Sequence, residues 1–262
     1  MTAGPDRLVV SPHPDDAVWS VGGCLARWRH EGCRVTVLTV FDGVPDDCAP
    51  AGAWRHIADP ASRAEENRRA LGILGVHGES VGLPDAALRG RDGTPAYPAP
   101  PSLFGPPHPD DGPLVPRIAA AIVARTGPRT ALYAPLAAGD HVDHHLVRVA
   151  VEALGRPAAW FEDFPYRLAA RHVAGLRPRY EPVELAAWIA AARCYASQAA
   201  ALLQSPDRLI RALRSRAEAH GRAARLPVAT RLWCAPPDSG TGLTQAPSHA
   251  GTAVPHQEEE IR

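Results

Sequence analysis

Short apolar runs alternate along this chain with stretches of helical spacing. Residues 7–11 (RLVVS) form an apolar run stopped by Pro12, which predicts a buried strand. Residues 17–31 then place Val18, Val21, Leu25 and Trp28 on one helical stripe, and Gly32 ends it. Residues 34–39 (RVTVLT) predict a second strand. After a Pro, Asp and Gly-rich loop over 42–61, residues 62–74 predict a helix, with Ser62 as N-cap and Glu65 completing a capping box. A third strand is predicted over 76–81. Residues 83–113 are too long and too rich in Pro and Gly for an ordinary connection, so they are a candidate functional loop or lid. Further on come a helix over 114–125, a strand over 130–134, a helix over 143–154 and a strand over 158–162. Helices around 183–203 and 207–222 close the folded part.

Strands alternating with helices predict an α/β fold, a Rossmann-like three-layer sandwich around a mostly parallel sheet. A single domain over 1–235 is expected. The remainder, 236–262, is rich in Gly, Ser, Thr and Pro, ends in EEEIR, and is expected to be a disordered tail.

Composition narrows the function classes. With 28 basic and 28 acidic side chains the formal net charge is zero, which argues against a nucleic-acid binder and against a membrane-surface protein. The chain has no lysine at all, so neither a Schiff-base lysine nor a phosphate-loop lysine is available. Cys24, Cys33, Cys48, Cys194 and Cys234 are odd in number and contain no C-x-x-C pair, against a disulfide framework or a cysteine metal site. The first residues lack the basic and apolar regions of a signal peptide, and no apolar stretch is long enough to span a bilayer. A cytoplasmic location is the expectation.

Two polar clusters carry the candidate chemistry. Ser11-Pro12-His13-Pro14-Asp15-Asp16 follows the first predicted strand, and His141-Val142-Asp143-His144-His145 follows the strand over 130–134. Ligands of open α/β sheets bind beyond the carboxyl ends of strands, so the clusters share one crevice if the two strands are neighbours. Zinc catalysis needs about three His, Asp or Glu ligands and an open position. His13, Asp16 and His144 can supply the ligands. Asp15 is then free as general base, and His141 can stabilise the oxyanion with Asp143 holding its imidazole. Other assignments stay open: Asp15 or Asp16 could cap the following helix, and His141 with His145 could form a ligand pair. No G-x-S-x-G elbow and no G-x-G-x-x-G after the first strand competes. A second Pro-His-Pro-Asp-Asp run over 107–111 follows no apolar strand, and predicts only a turn before a helix.

SPHPDDAVWSVGG and GDHVDHHLVR resemble the two signature motifs of the PIG-L/LmbE-like family of zinc-dependent N-acetylglucosaminyl deacetylases. VTVLTVFDGVP, SRAEENRRALGILG, VGLPDAALRGRDGTPAY, WFEDFPYR and CYASQAAAL extend the similarity. The resemblance implies one zinc ion per chain and hydrolysis of an N-acetyl group on an amino sugar or its conjugate. By position it implies His13, Asp16 and His144 as ligands, Asp15 as base, and His141 with Asp143 at the oxyanion. It adds Arg63 and Asp85 as substrate-facing residues. Ala17, where the commoner motif has Glu, matches a subgroup with SPHxDDA. Gly139 stands where some members carry tyrosine. The expected partner is a small N-acylated sugar or glycoside, with no nucleic acid and no membrane; a homo-oligomer stays open. Alternatives are a deacylase of a larger N-acyl natural product or thiol conjugate with the same zinc chemistry, and a non-catalytic sugar- or nucleotide-binding module.

Overall fold

The apolar run at Arg7–Ser11 becomes β1, the centre of the sheet. The structure is a computed structural model that describes residues 4–44, 59–91 and 93–236. Most of the 42–61 loop, Cys48 and the tail from 237 onward lie outside those residues. On one side β1 pairs in parallel with β2 (Val35–Thr39), which pairs with β3 (His77–Ser80). On the other it pairs in parallel with β6 (Ala131–Pro135), followed by β7 (Ala158–Phe161). The chain therefore reverses its direction of travel across the sheet between β1 and β6. In open α/β sheets that reversal opens a crevice at the strands' carboxyl ends.

Helices cover both faces because successive strand residues point to opposite sides. Val9, Val35 and Val37 pack under α1 (Asp16–His30), α2 (Pro60–Leu74), α5 (Leu185–Ala192) and α7 (Pro206–Ala224). Leu8, Val10 and Leu38 pack under α3 (Leu114–Val123) and α4 (Val142–Glu152). The predicted stripe of α1 is buried along its length. Gly22 and Gly23 let α5 press close, since a Cβ at Gly22 would come within 2.6 Å of the Trp188 ring.

Several elements differ from the sequence expectation. Helix α2 starts at Pro60, and Asp59, not Ser62, is its N-cap, with the Asp59 carboxylate accepting the Ser62 N–H. Proline suits the first helical position and Asp is a strong cap, so the helix begins a few residues early; Glu65 pairs with Arg68. The single helix expected over 183–203 is two, α5 and α6 (Ala196–Leu203), broken where the buried Tyr195 hydroxyl lies 2.9 Å from the Pro14 carbonyl. Two strands of the main sheet were not foreseen. β9 (Ala229–Cys234) runs antiparallel to β7, and β8 (Arg177–Pro182) pairs antiparallel at the edge. Its RPRYEP sequence reads as loop, because two prolines and charged residues are tolerated only on an edge strand. The sheet order among the described residues is β3-β2-β1-β6-β7-β9-β8, so the sheet is mostly parallel with an antiparallel edge.

The long loop after β3 is not open coil. It carries a small hairpin, β4 (Gly90–Arg91) with β5 (Thr94–Pro95), and a local core of Ala86, Ala87, Leu88, Tyr97 and Leu103 around Val142. An antiparallel bridge joins Phe104 to His141, which fastens the loop to the crevice.

Candidate active site

Ser11, the last residue of β1, shapes the first cluster. Its Oγ donates to the His13 carbonyl at 2.6 Å and accepts the Ala17 N–H at 2.9 Å. The turn so formed brings the Asp16 carboxylate back onto the His13 N–H at 2.8 Å. Neither Asp15 nor Asp16 spends its side chain on capping α1; Asp15 stands at the cap position with no such bond. The second cluster opens α4, where His141 is the N-cap and its Nδ1 accepts the Asp143 N–H.

Because β1 and β6 are neighbours, the two clusters meet. Asp16 Oδ2 lies 3.1 Å from His13 Nδ1 and 3.2 Å from His144 Nε2. All three residues are buried, and their donor atoms lie within 4.8 Å of one another. His144 Nε2 makes no hydrogen bond, although it is fully buried and near a carboxylate. Leaving a buried nitrogen unpaired costs roughly 1–3 kcal/mol, unless something else takes its lone pair. The opposite ring atoms are anchored. Asp163, just beyond β7, contacts His144 Nδ1 at 2.5 Å, and Asp143 contacts His13 Nε2 at 2.9 Å. Carboxylates behind imidazoles are the usual support of metal-binding histidines. A His, Asp, His set of this kind suits a divalent metal.

A second group, His13 with His141 and Asp143, also lies within ligand distance. There the carboxylate is already spent: Asp143 accepts from His13, from the Ala86 N–H at 2.9 Å and from Arg89 Nη1 at 2.6 Å. The first group is therefore the better pocket for an ion. The same bonds revise one expectation. The Asp143 carboxylate backs His13, and its contribution to His141 comes through the backbone N–H. That bond makes Nδ1 of His141 an acceptor and places the ring proton of the neutral imidazole on Nε2. His145, the alternative partner of His141, turns instead to Asp140, its Nε2 at 3.5 Å.

Arg63 and Asp85 border the crevice beside these residues. Arg63 donates to Asp85 at 2.9 Å and lies 3.4 Å from Asp15, so its fork ties the loop acid to the candidate base. Burial pushes the Asp15 carboxyl up, aided by Asp16, while the Arg63 charge opposes it. Burial, together with the His13 and His144 charges, drives His141 down to about 3 and keeps it neutral. Burial disfavours the His13 charge, but Asp85, Asp143 and Asp16 outweigh it and raise the group to about 9.

The crevice also has an apolar side that sequence reasoning did not assign: Trp19, Leu103, Phe104, Phe164 and Leu202. Tyr166 joins it, its ring seated on Gly139 where a Cβ would come within 2.5 Å. Gly139 has φ +86°, and Ala137 and Asp140 share the left-handed region, so this turn is built to bring the backbone under that ring. Asp163 and Arg89 were also missed. Asp163 had a signal, as an acid at the carboxyl end of a third parallel strand. Arg89 had none, because it reaches the site from the long loop.

Comparison with known proteins gives the family. The chain is 35% identical to a 2'-N-acetylparomamine deacetylase of Streptomyces fradiae over 61% of its own length and 57% of that protein's. It is 29% identical to a 2'-N-acetylparomamine deacetylase of Niallia circulans, over 61% of this chain and 66% of that one. It thus spans less than two thirds of the length of these relatives. Among solved structures, the zinc-inhibited form of a teicoplanin deacetylase superposes with TM-score 0.72 at 25% identity, covering 87% of this chain and 97% of that one. Residues 8–154, more than half of the chain, match the family described as PIG-L: GlcNAc-PI de-N-acetylase, and the protein belongs to that family.

Proposed function

We propose that the protein is a zinc-dependent N-deacetylase that hydrolyses the N-acetyl group of an amino sugar or amino-sugar conjugate. The observation that carries this reading is the convergence of His13 Nδ1, Asp16 Oδ2 and His144 Nε2, the last without a hydrogen bond, beside the buried Asp15 carboxylate. His13, Asp16 and His144 would hold one zinc ion per chain, which when bound acidifies water and polarises an amide carbonyl.

The remaining steps belong to the side chains. Asp15 accepts the proton of the attacking water and returns it to the departing amine. Arg63 keeps that carboxylate aimed into the crevice. His141, neutral with its proton on Nε2, donates to the amide oxygen as negative charge develops there. Asp143 and Asp163 hold the two ligand imidazoles in place. Arg63 and Asp85 take the hydroxyl groups of the sugar at the rim. The substrate is a small N-acylated sugar or glycoside, in keeping with the amino-sugar substrates named for the curated relatives. Among the described residues no helix is long and apolar enough to cross a membrane, and we place the enzyme in the cytoplasm.

A second reading keeps the chemistry and enlarges the acceptor. The wall of Trp19, Leu103, Phe104, Phe164 and Leu202 favours a conjugate with an apolar portion next to its sugar. Acetate release from N-acetylglucosamine, from 2'-N-acetylparomamine and from an aryl N-acetylglucosaminide, with metal content measured alongside, tests both. About one zinc per chain with acetate released from a simple sugar supports the first. Zinc with release only from the aryl glycoside supports the second. Protein that takes up no metal on reconstitution overturns the assignment and leaves a binding module.

A further inference from the structure

The second Pro-His-Pro-Asp-Asp run is joined to the site by a buried chain of charges. Asp111, 4% exposed, ends a short 3-10 turn, Pro109–Asp111. Its Oδ2 accepts from Arg89 Nη2 at 2.8 Å and from the Tyr97 hydroxyl at 2.7 Å. That hydroxyl in turn accepts the His108 N–H at 2.7 Å. Arg89, 9% exposed, lies over the Phe41 and Tyr97 rings and donates from Nη1 to Asp143 Oδ1 and the Pro84 carbonyl. Asp143 is wholly buried and holds His13 Nε2. The path Asp111–Arg89–Asp143–His13 thus crosses from the far end of the long loop to a candidate ligand entirely through charge-assisted bonds.

Such a chain costs stability unless it is complete. A buried guanidinium with one carboxylate removed is an uncompensated charge, and each link fixes the next in one orientation. The loop that supplies Arg89 and Asp111 also supplies Leu103 and Phe104 to the wall of the crevice. Whatever orders one end of this unit orders the other. Coupling between two sites is reciprocal, so an ion at His13 must stabilise the loop as much as the loop stabilises the ion.

We propose that Arg89 is a positioning residue for His13, anchored by Asp111, and that ion binding and the ordering of residues 93–111 are coupled through it. This rests on the assignment of His13, Asp16 and His144 as metal ligands. The fork geometry matters as well as the charge: lysine at 89 would supply a point charge that meets one of the two carboxylates.

The test is zinc affinity, measured by chelator competition in wild-type protein, Arg89→Gln, Arg89→Lys and Asp111→Asn, with thermal melting to show that each is folded. Loss of outer-shell support weakens metal binding by about 10–100-fold, and that is the effect expected for Arg89→Gln. Arg89→Lys should fall between it and wild type. Asp111→Asn, which leaves the Arg89–Asp143 bond in place, should weaken zinc by about 10-fold, at the low end of the same effect. Hydrogen exchange over residues 93–111 of the wild type should slow when zinc is added, and slow less in Asp111→Asn. Folded variants with wild-type zinc affinity, or a loop whose exchange ignores zinc, would overturn the proposal. If Arg89→Gln does not fold, Asp111→Asn decides alone. A wild type that binds no zinc refutes the ligand assignment instead, which separates the two failures.

Discussion

Residues 12–16 and 107–111 spell the same five letters, yet they do opposite things. The first run follows a buried strand and opens a 15-residue helix, with His13, Asp15 and Asp16 all buried. The second follows a proline-rich stretch and makes a three-residue turn, with the His108 side chain 41% and the Asp110 side chain 66% exposed. In the first, the Asp16 carboxylate returns to the His13 N–H and the imidazole is freed to face the crevice. In the second, the His108 ring accepts the Asp110 N–H and so caps its own turn. Only Asp111 is drawn inward, and it serves the first run at a distance, through Arg89. Position at the carboxyl end of a central strand, not the motif, separates a set of converging donors from a turn.

The largest effects should come from the ligands. Asp16→Ala and His144→Ala are expected to lose bound zinc and at least ~1,000-fold in turnover, since zinc supplies most of the transition-state stabilisation such sites offer. His108→Ala and Asp110→Ala should keep both. Metal analysis with an acetate-release assay on all four proteins checks this. Zinc retained by the first pair, or lost by the second, would break the contrast.

Asp15 against Asp110 sharpens it. Asp15→Asn should keep zinc and lose about 10²–10⁴-fold in turnover, the usual contribution of a positioned base. Asp110→Asn should change neither. Normal turnover in Asp15→Asn would remove the base assignment while leaving the ion in place. A smaller loss, about 10²-fold in kcat with little change in KM, is expected for His141→Gln, since one oxyanion donor is worth that much. If KM rises and kcat holds, His141 binds ground-state substrate instead.

These contrasts also show what could be read from residues alone. The strands β1, β2, β6 and β7 were legible because each is a short apolar run with turn residues after it, and the motifs stood at their ends. That β1 and β6 are neighbours was a condition the sequence left open; pairing is a long-range fact with no local signature. The supports of the ligands were harder. Asp143 lies two residues from His141 and was assigned to it, but the N-cap geometry of α4 turns its carboxylate toward His13. Arg89 is one arginine among many in a loop with no periodicity. Strand β8 lacked the signal of a central strand, because an edge tolerates the prolines and charges that a core excludes.

Burial by itself does not mark the site, and a second buried charge cluster makes the point. Glu162, beside Asp163 at the end of β7, accepts from Arg216, Arg231 and Trp233, and none of the fully buried side-chain nitrogen or oxygen atoms of these four lacks a hydrogen bond. Burial raises the Glu162 carboxyl, but its arginine and tryptophan partners outweigh that and hold it below its ordinary value. Its stabilisation is therefore present above the ordinary glutamate range and is lost as pH falls through the lowered value. His220 packs against the same group, and its Nδ1 accepts the Arg231 N–H. Burial lowers its pKa to about 4, and Arg216 and Arg231 reinforce the shift. The unfolded chain takes up that proton near pH 6.5 and the folded one near 4, so stability falls as pH drops through this window. His220 is partly solvated, which reduces the loss to about 1 kcal/mol at pH 5, or a few degrees in Tm. His220→Gln keeps a polar acceptor and cannot titrate, so its Tm should fall less than that of the wild type between pH 7.5 and 5. The difference should be the same with and without zinc, because this cluster has no open donor to offer an ion. Parallel Tm profiles for the two proteins would refute the role of His220. A zinc-dependent gap would place this cluster in the same cooperative unit as His144, through Asp163, and burial with full pairing would no longer set the two kinds of cluster apart.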